Sequence, residues 1–130
     1  MPAGEYLKAA DRAALDLTIR RAEQLCRAEF SVFVGQTQGA PRPFAVGLHR
    51  SLVAPDRSIL VMVDPVARAV EVVTGSDVRR HLDDNGVELA VASMVAMFRD
   101  DDLVGGLRRG IQQLAEHAKP ANTLHAGTQR

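Results

Sequence analysis

The chain has 130 residues, about one domain's worth. It carries 16 Lys plus Arg against 16 Asp plus Glu, and 46% of its residues are hydrophobic. Such balanced, ordinary globular usage excludes a disordered, collagen-like or disulfide-scaffold chain and argues against nucleic-acid binding by bulk charge.

Leu15, Ile19, Ala22, Leu25 and Cys26 recur at three- and four-residue steps, opposite Arg12, Asp16, Arg20, Glu23 and Arg27. That pattern predicts an amphipathic helix from about Arg12 to Ala28. Phe30-Ser31-Val32-Phe33-Val34, stopped by Gly35, reads as a buried strand. Gly35 to Arg42 is a loop, and Pro43 suits the first turn of a short helix bearing Phe44, Leu48 and Leu52 on one face. Ala54-Pro55-Asp56 ends that helix.

Ser58 to Val63 is a second strand and Arg68 to Thr74 a third. Asp64-Pro65-Val66-Ala67 turns between them, so the two form an antiparallel hairpin. Gly75 closes the third strand, and Ser76 is placed to cap a short helix reaching His81 or Leu82. Asn85 and Glu88 have capping-box spacing at the start of the next helix, whose stripe is Val87, Val91, Met94, Val95 and Phe98. Asp100-Asp101-Asp102 caps a last helix carrying Leu103, Leu107, Ile111, Leu114 and Ala118. Gly105, Gly106 and Gly110 would let a neighbour approach it closely. Pro120 ends it, and Ala121 to Arg130 reads as a loose tail.

Helix, strand, helix, strand, strand and three helices predict an α/β fold: a three-layer α/β/α sandwich with a small mixed central sheet of three to four strands. The first two strands pair in parallel across the helical crossover. Residues 1–120 read as one domain and 121–130 as a tail. Met1 to Ala10 lacks the apolar core of a signal peptide, and no stretch reaches membrane-span length. With a single cysteine, Cys26, a cytoplasmic setting is expected.

Three features carry a family resemblance. A first helix runs into Phe30-Ser31-Val32-Phe33-Val34-Gly35. The hairpin Ile59–Val63 and Arg68–Gly75 has an arginine-led strand ending in glycine. Phe98-Arg99-Asp100-Asp101-Asp102-Leu103-Val104-Gly105-Gly106-Leu107 places an acidic turn before a glycine-leucine helix start. Over roughly Ala13 to Ala118 the chain resembles the TPM-type domain family, in its soluble bacterial branch of unknown function. That resemblance implies an α/β/α sandwich, with phosphatase activity, calcium binding and maintenance of membrane protein complexes linked to family members.

Chemistry in the residues themselves centres on carboxylates. Asp64, Asp83, Asp84, Asp100, Asp101 and Asp102 are the candidate metal ligands, since carboxylate oxygens suit calcium or magnesium. The helix between the two acidic loops, roughly Gly86 to Phe98, would hold them about 18–20 Å apart. Each loop would then need Asp64 or Glu71 to complete a site. Capping and solvation of helix N-termini is the simpler reading of the same aspartates. His49, His81, His117 and His125 form no i, i+4 pair, though His81 lies near Asp83 and Asp84. Cys26 falls on an apolar stripe and reads as a small buried hydrophobe. No nucleophile elbow, phosphate loop or dinucleotide motif is present. The arginine doublets 20–21, 79–80 and 108–109 read as solvated helix faces. With one Tyr and no Trp, stacking platforms for nucleic acid are scarce.

The leading expectation is an accessory or protein-interaction module that engages an unknown protein partner. The alternative is a metal-dependent phosphatase-like hydrolase using clustered aspartates. A third reading is a homodimer that uses the Met94/Met97/Phe98 region or the glycine-bearing last helix as its contact.

Overall fold

Ser58–Asp64, the strand β2, is buried at all seven positions. A strand covered on both faces needs no polar alternation, and Ile59 to Val63 is one unbroken apolar run. It is the centre of a three-stranded sheet ordered β1-β2-β3, where β1 is Glu29–Val34 and β3 is Ala69–Thr74. β1 pairs with β2 in parallel, with Phe30 opposite Ile59 and Val34 opposite Val63. β3 pairs with β2 antiparallel, with Ile59 opposite Thr74 and Asp64 opposite Ala69. The mixed sheet and the hairpin are those expected from the sequence. The computed structural model describes residues 6–120, so the expected tail from Ala121 lies outside the described residues.

The period of two along each strand divides the core into two layers. Phe30, Val34, Ile59, Val61, Val63 and Val72 face one side. There they meet α1 (Ala9–Cys26), α3 (Asp84–Arg99) and α4 (Leu103–Ala118). Leu60, Met62 and Val73 face the other side and pack on Ala45 of α2 (Pro41–Arg50). Three helices on one face and one on the other make the α/β/α sandwich.

Several local expectations shift in register. α2 starts at Pro41 rather than Pro43, and Ala45 and His49 make its buried face. His49 Nε2–H donates to the Ser58 carbonyl at 3.0 Å, which ties α2 to the start of β2. Pro55–Arg57 forms a 3-10 turn after it. Ser76 caps no helix: the following turn is a 3-10 stretch, Val78–Arg80, which begins after Asp77. The N-cap of α3 is Asp83, not Asn85, with its carboxylate accepting from Gly86 N–H at 2.9 Å. A carboxylate is an equally good cap and adds charge at the positive helix end.

Gly75 is where backbone meets backbone. A Cβ there would run into the carbonyl oxygens of Pro55 and Asp56. On α4 the small residues serve α3: the place of a Cβ on Gly106 is taken by the Phe98 ring, and that of Gly110 by Met94. These small residues let α3 and α4 pack closely within the chain. Met94 is fully buried and the glycine face of α4 is covered within the chain.

On β3, Arg42 donates to the Val72 carbonyl at 2.8 Å and Arg79 donates to the Thr74 carbonyl. Arg108, from another doublet, donates to Thr18 Oγ1 at 2.9 Å and links α4 to α1. These arginines thus work inside the fold rather than as solvated charge alone.

Candidate functional site

The turn from β2 to β3 and the turn from α3 to α4 meet over a cleft of about 440 Å³. Its apolar lining includes Val63, Val70, Val95, Phe98 and Leu103. Asp64, Arg68, Arg99 and Asp101 supply the polar lining. The volume lies in the range of pockets that take small ligands.

Asp64 ends β2 and is buried, 3% exposed. One carboxylate oxygen accepts from the N–H groups of Val66 and Ala67, both at 3.0 Å. The other accepts from Thr37 N–H at 2.9 Å and from the Thr37 hydroxyl at 3.2 Å. Burial pushes the carboxyl up, but the bonds from Ala67, Thr37 and Val66 together outweigh it. The net displacement is below the ordinary Asp value. Four donors thus hold an ionised side chain that fixes both the hairpin turn and the loop after β1. The Asp-Pro turn reading anticipated the first role. Thr37 was missed, because its partner lies 27 residues away.

Asp101 stands at the other wall. It is exposed and left-handed, φ 59°. Asp101 N–H donates to the Phe98 carbonyl and Asp102 N–H to the Met97 carbonyl, at 3.0 and 3.1 Å. This is a Schellman ending, in which glycine is the usual left-handed residue. Arg68, also on the cleft, is left-handed too, φ 56°. Two non-glycine residues in an uncommon backbone region therefore border one cleft, and such positions gather at functional sites.

The remaining candidate aspartates serve helix ends. Asp83 caps α3, and Asp84 sits in its first turn. Asp100 is the C-cap of α3. Asp102 caps α4 through Gly105 N–H at 2.9 Å. The two acidic loops stand at opposite ends of α3, whose 16 residues span about 24 Å. Only Asp64 and Asp101 of the six line the cleft. Glu71, considered as a helper, pairs with Arg42 at 3.2 Å. His81 is exposed beyond the 3-10 turn. Among the described residues, no three His, Cys, Asp or Glu side chains gather to hold a metal ion.

Arg99 is the cleft residue that sequence reading passed over. It follows Val95 by one helical turn, so the two share a face of α3. That spacing was legible, but it gained meaning only once the β2–β3 turn was placed opposite. Cys26 is buried, and burial raises its thiol pKa, as its place on the apolar stripe of α1 implied. No helix among the described residues is long and apolar enough to cross a membrane.

Residues 3–115 match a family described as a domain of unknown function, DUF5130. Two uncharacterised proteins of Mycobacterium tuberculosis, from strains CDC 1551 / Oshkosh and ATCC 25618 / H37Rv, are each 30% identical over 111 residues. Those matches cover 85% of this chain and 66% of the relatives, so the chain spans just under two thirds of their length. Among solved structures, the BA42 protein of the psychrophilic bacterium Bizionia argentinensis superposes with a TM-score of 0.77 at 17% identity. That match covers 86% of this chain and 81% of the other. The N-terminal domain of a P. gingivalis protein gives 0.74 at 18% identity, covering 95% and 80%. At these identities the likeness shows a shared fold.

Proposed function

We propose that this chain, which belongs to the DUF5130 family of domains of unknown function, is a binding module: an accessory or protein-interaction domain that engages its partner through the cleft between the β2–β3 and α3–α4 turns. The state of Asp64 carries this reading. Of the carboxylates at the cleft it is the buried one, and four protein donors already occupy its oxygens. A carboxylate so held has no lone pair left for a metal and no tendency to take up a proton near neutral pH. What the cleft offers an occupant is an apolar floor with arginines at its rim. A cytoplasmic setting belongs to the same proposal and draws support from the free, buried Cys26.

The second reading is a calcium- or magnesium-dependent phosphatase of TPM type, favoured by the shared placement of Asp64 and Asp101 at one cleft. Titration of Ca²⁺ and then Mg²⁺ into labelled protein, followed by amide shifts, separates the two. The binding-module reading expects no saturable local shift at residues 64 and 101, nor at 83–84 or 100–102. Saturable shifts at 64 and 101 together would favour the second.

A further inference from the structure

The polar groups of the cleft narrow its occupant. Arg42, Arg57 and Arg80 sit on carboxylates, whereas no carboxylate partner of Arg68 or Arg99 is found among the described residues. Both are exposed at the cleft, so the rim favours an anionic group. Guanidinium forks suit carboxylate or phosphate oxygens. The lone pairs of Asp64 are already taken by its four donors, so it offers an occupant no free acceptor. Asp101 is not so held: none of the hydrogen bonds found among the described residues reaches its carboxylate. It therefore stands as a free acceptor beside the two arginines.

A phosphate dianion would answer the arginines but would leave the apolar floor empty. A fatty acid would answer the arginines and the apolar floor but would bring Asp101 no donor. A polypeptide end answers all three, with a terminal carboxylate for the arginines, apolar last side chains for the floor, and a backbone N–H for Asp101. We propose that the cleft captures the carboxy-terminal end of a partner polypeptide whose last residues are apolar. Capture of a terminal carboxylate is an established mode of peptide recognition. The inference rests on the binding-module reading of the same cleft.

The test uses a fluorescein-labelled hexapeptide ending in leucine, isoleucine and valine, as the free acid and as the C-terminal amide. Fluorescence polarisation gives affinity, and amide shifts place the site. The free acid is expected to bind saturably with shifts at residues 64–70 and 95–103, and the amide at least tenfold more weakly. Replacing both arginines, Arg68→Gln with Arg99→Gln, is expected to erase the difference between acid and amide. Both side chains are exposed, and amide dispersion reports whether the variant folds. If it does not, the acid–amide comparison on the unaltered chain still decides. Equal affinity of acid and amide, displacement of the peptide by octanoate or inorganic phosphate at lower concentration, or no binding would overturn the inference. Equal affinity with saturable cleft shifts leaves the binding-module reading standing, whereas phosphomonoester turnover lost in a cleft variant removes that reading itself.

Discussion

Thr37 donates twice to Asp64, from its backbone N–H at 2.9 Å and from its hydroxyl at 3.2 Å. The contact joins the loop after β1 to the end of β2. With the bonds from Val66 and Ala67, it makes Asp64 a buried ion whose every oxygen is used. Asp64→Ala removes the acceptor and leaves these donors without their partner. A loss of about 3 kcal/mol is expected, since charged hydrogen bonds and orphaned buried groups are each costly. Thr37→Val removes one of the four bonds and should cost about 1 kcal/mol. Urea unfolding monitored by circular dichroism measures both.

The same carboxylate gives the fold an acid limit. Its folded pKa lies below its ordinary value, so the unfolded chain binds the proton first as pH falls. The stabilisation is therefore complete above the unfolded pKa of about 4 and is lost as pH drops through the folded pKa. Asp64→Asn should flatten this part of the stability curve below about pH 4. A variant that keeps the full acid dependence would show that other carboxylates set it.

Asp101 exchanges stability for its place at the cleft. A left-handed Asp costs roughly 1 kcal/mol that glycine does not incur. Asp101→Gly is expected to raise stability by about 0.5–1 kcal/mol while weakening peptide capture. Denaturation midpoint and peptide affinity, measured on one preparation, should move in opposite directions.

Gly106 reads differently from its helix propensity. Alanine in a helix interior gains about 1 kcal/mol over glycine. Here the added methyl would meet the Phe98 ring, which is part of α3 and of the cleft floor. Overpacking of this kind costs about 1–3 kcal/mol, so Gly106→Ala should be net destabilising by about 1 kcal/mol. Thermal melting checks the sign, and amide shifts at Val95 and Phe98 would show that the cleft has moved.

Cys26 sets an alkaline limit. Burial raises the thiol's folded pKa above its unfolded value. The unfolded chain therefore ionises first, and the stabilisation is present below about pH 8.5 and lost as pH rises through the folded pKa. A thiol reagent at pH 7 should react with Cys26 no faster than the chain opens. Burst labelling of the folded protein would contradict the buried placement.

Much of the fold was written locally. β2 announces its burial through an unbroken apolar run, and α4 carries its period of 3.6, its Asp102 cap and its small residues in one stretch. Where several capping residues crowd together, as from Ser76 to Asn85, local chemistry permits more than one start and tertiary packing chooses Asp83. The cleft was less legible because its walls come from turns about 35 residues apart in the chain. Asp64 was marked as a turn residue and candidate metal ligand, and Arg68 as the start of the third strand. Thr37 and Arg99 acquire their roles only when the sheet and α3 are assembled; the one-turn spacing of Arg99 from Val95 is legible but does not by itself point to a cleft.

Phosphomonoester turnover tests binding against catalysis most directly. Hydrolysis of p-nitrophenyl phosphate would be followed with Ca²⁺, with Mg²⁺ and with chelator, for the unaltered chain and for Asp101→Asn. A cleft built for binding gives rates equal to the buffer control in every arm and for both proteins. Metal-dependent turnover by the unaltered chain, lost in Asp101→Asn, would contradict it and make the cleft an active site.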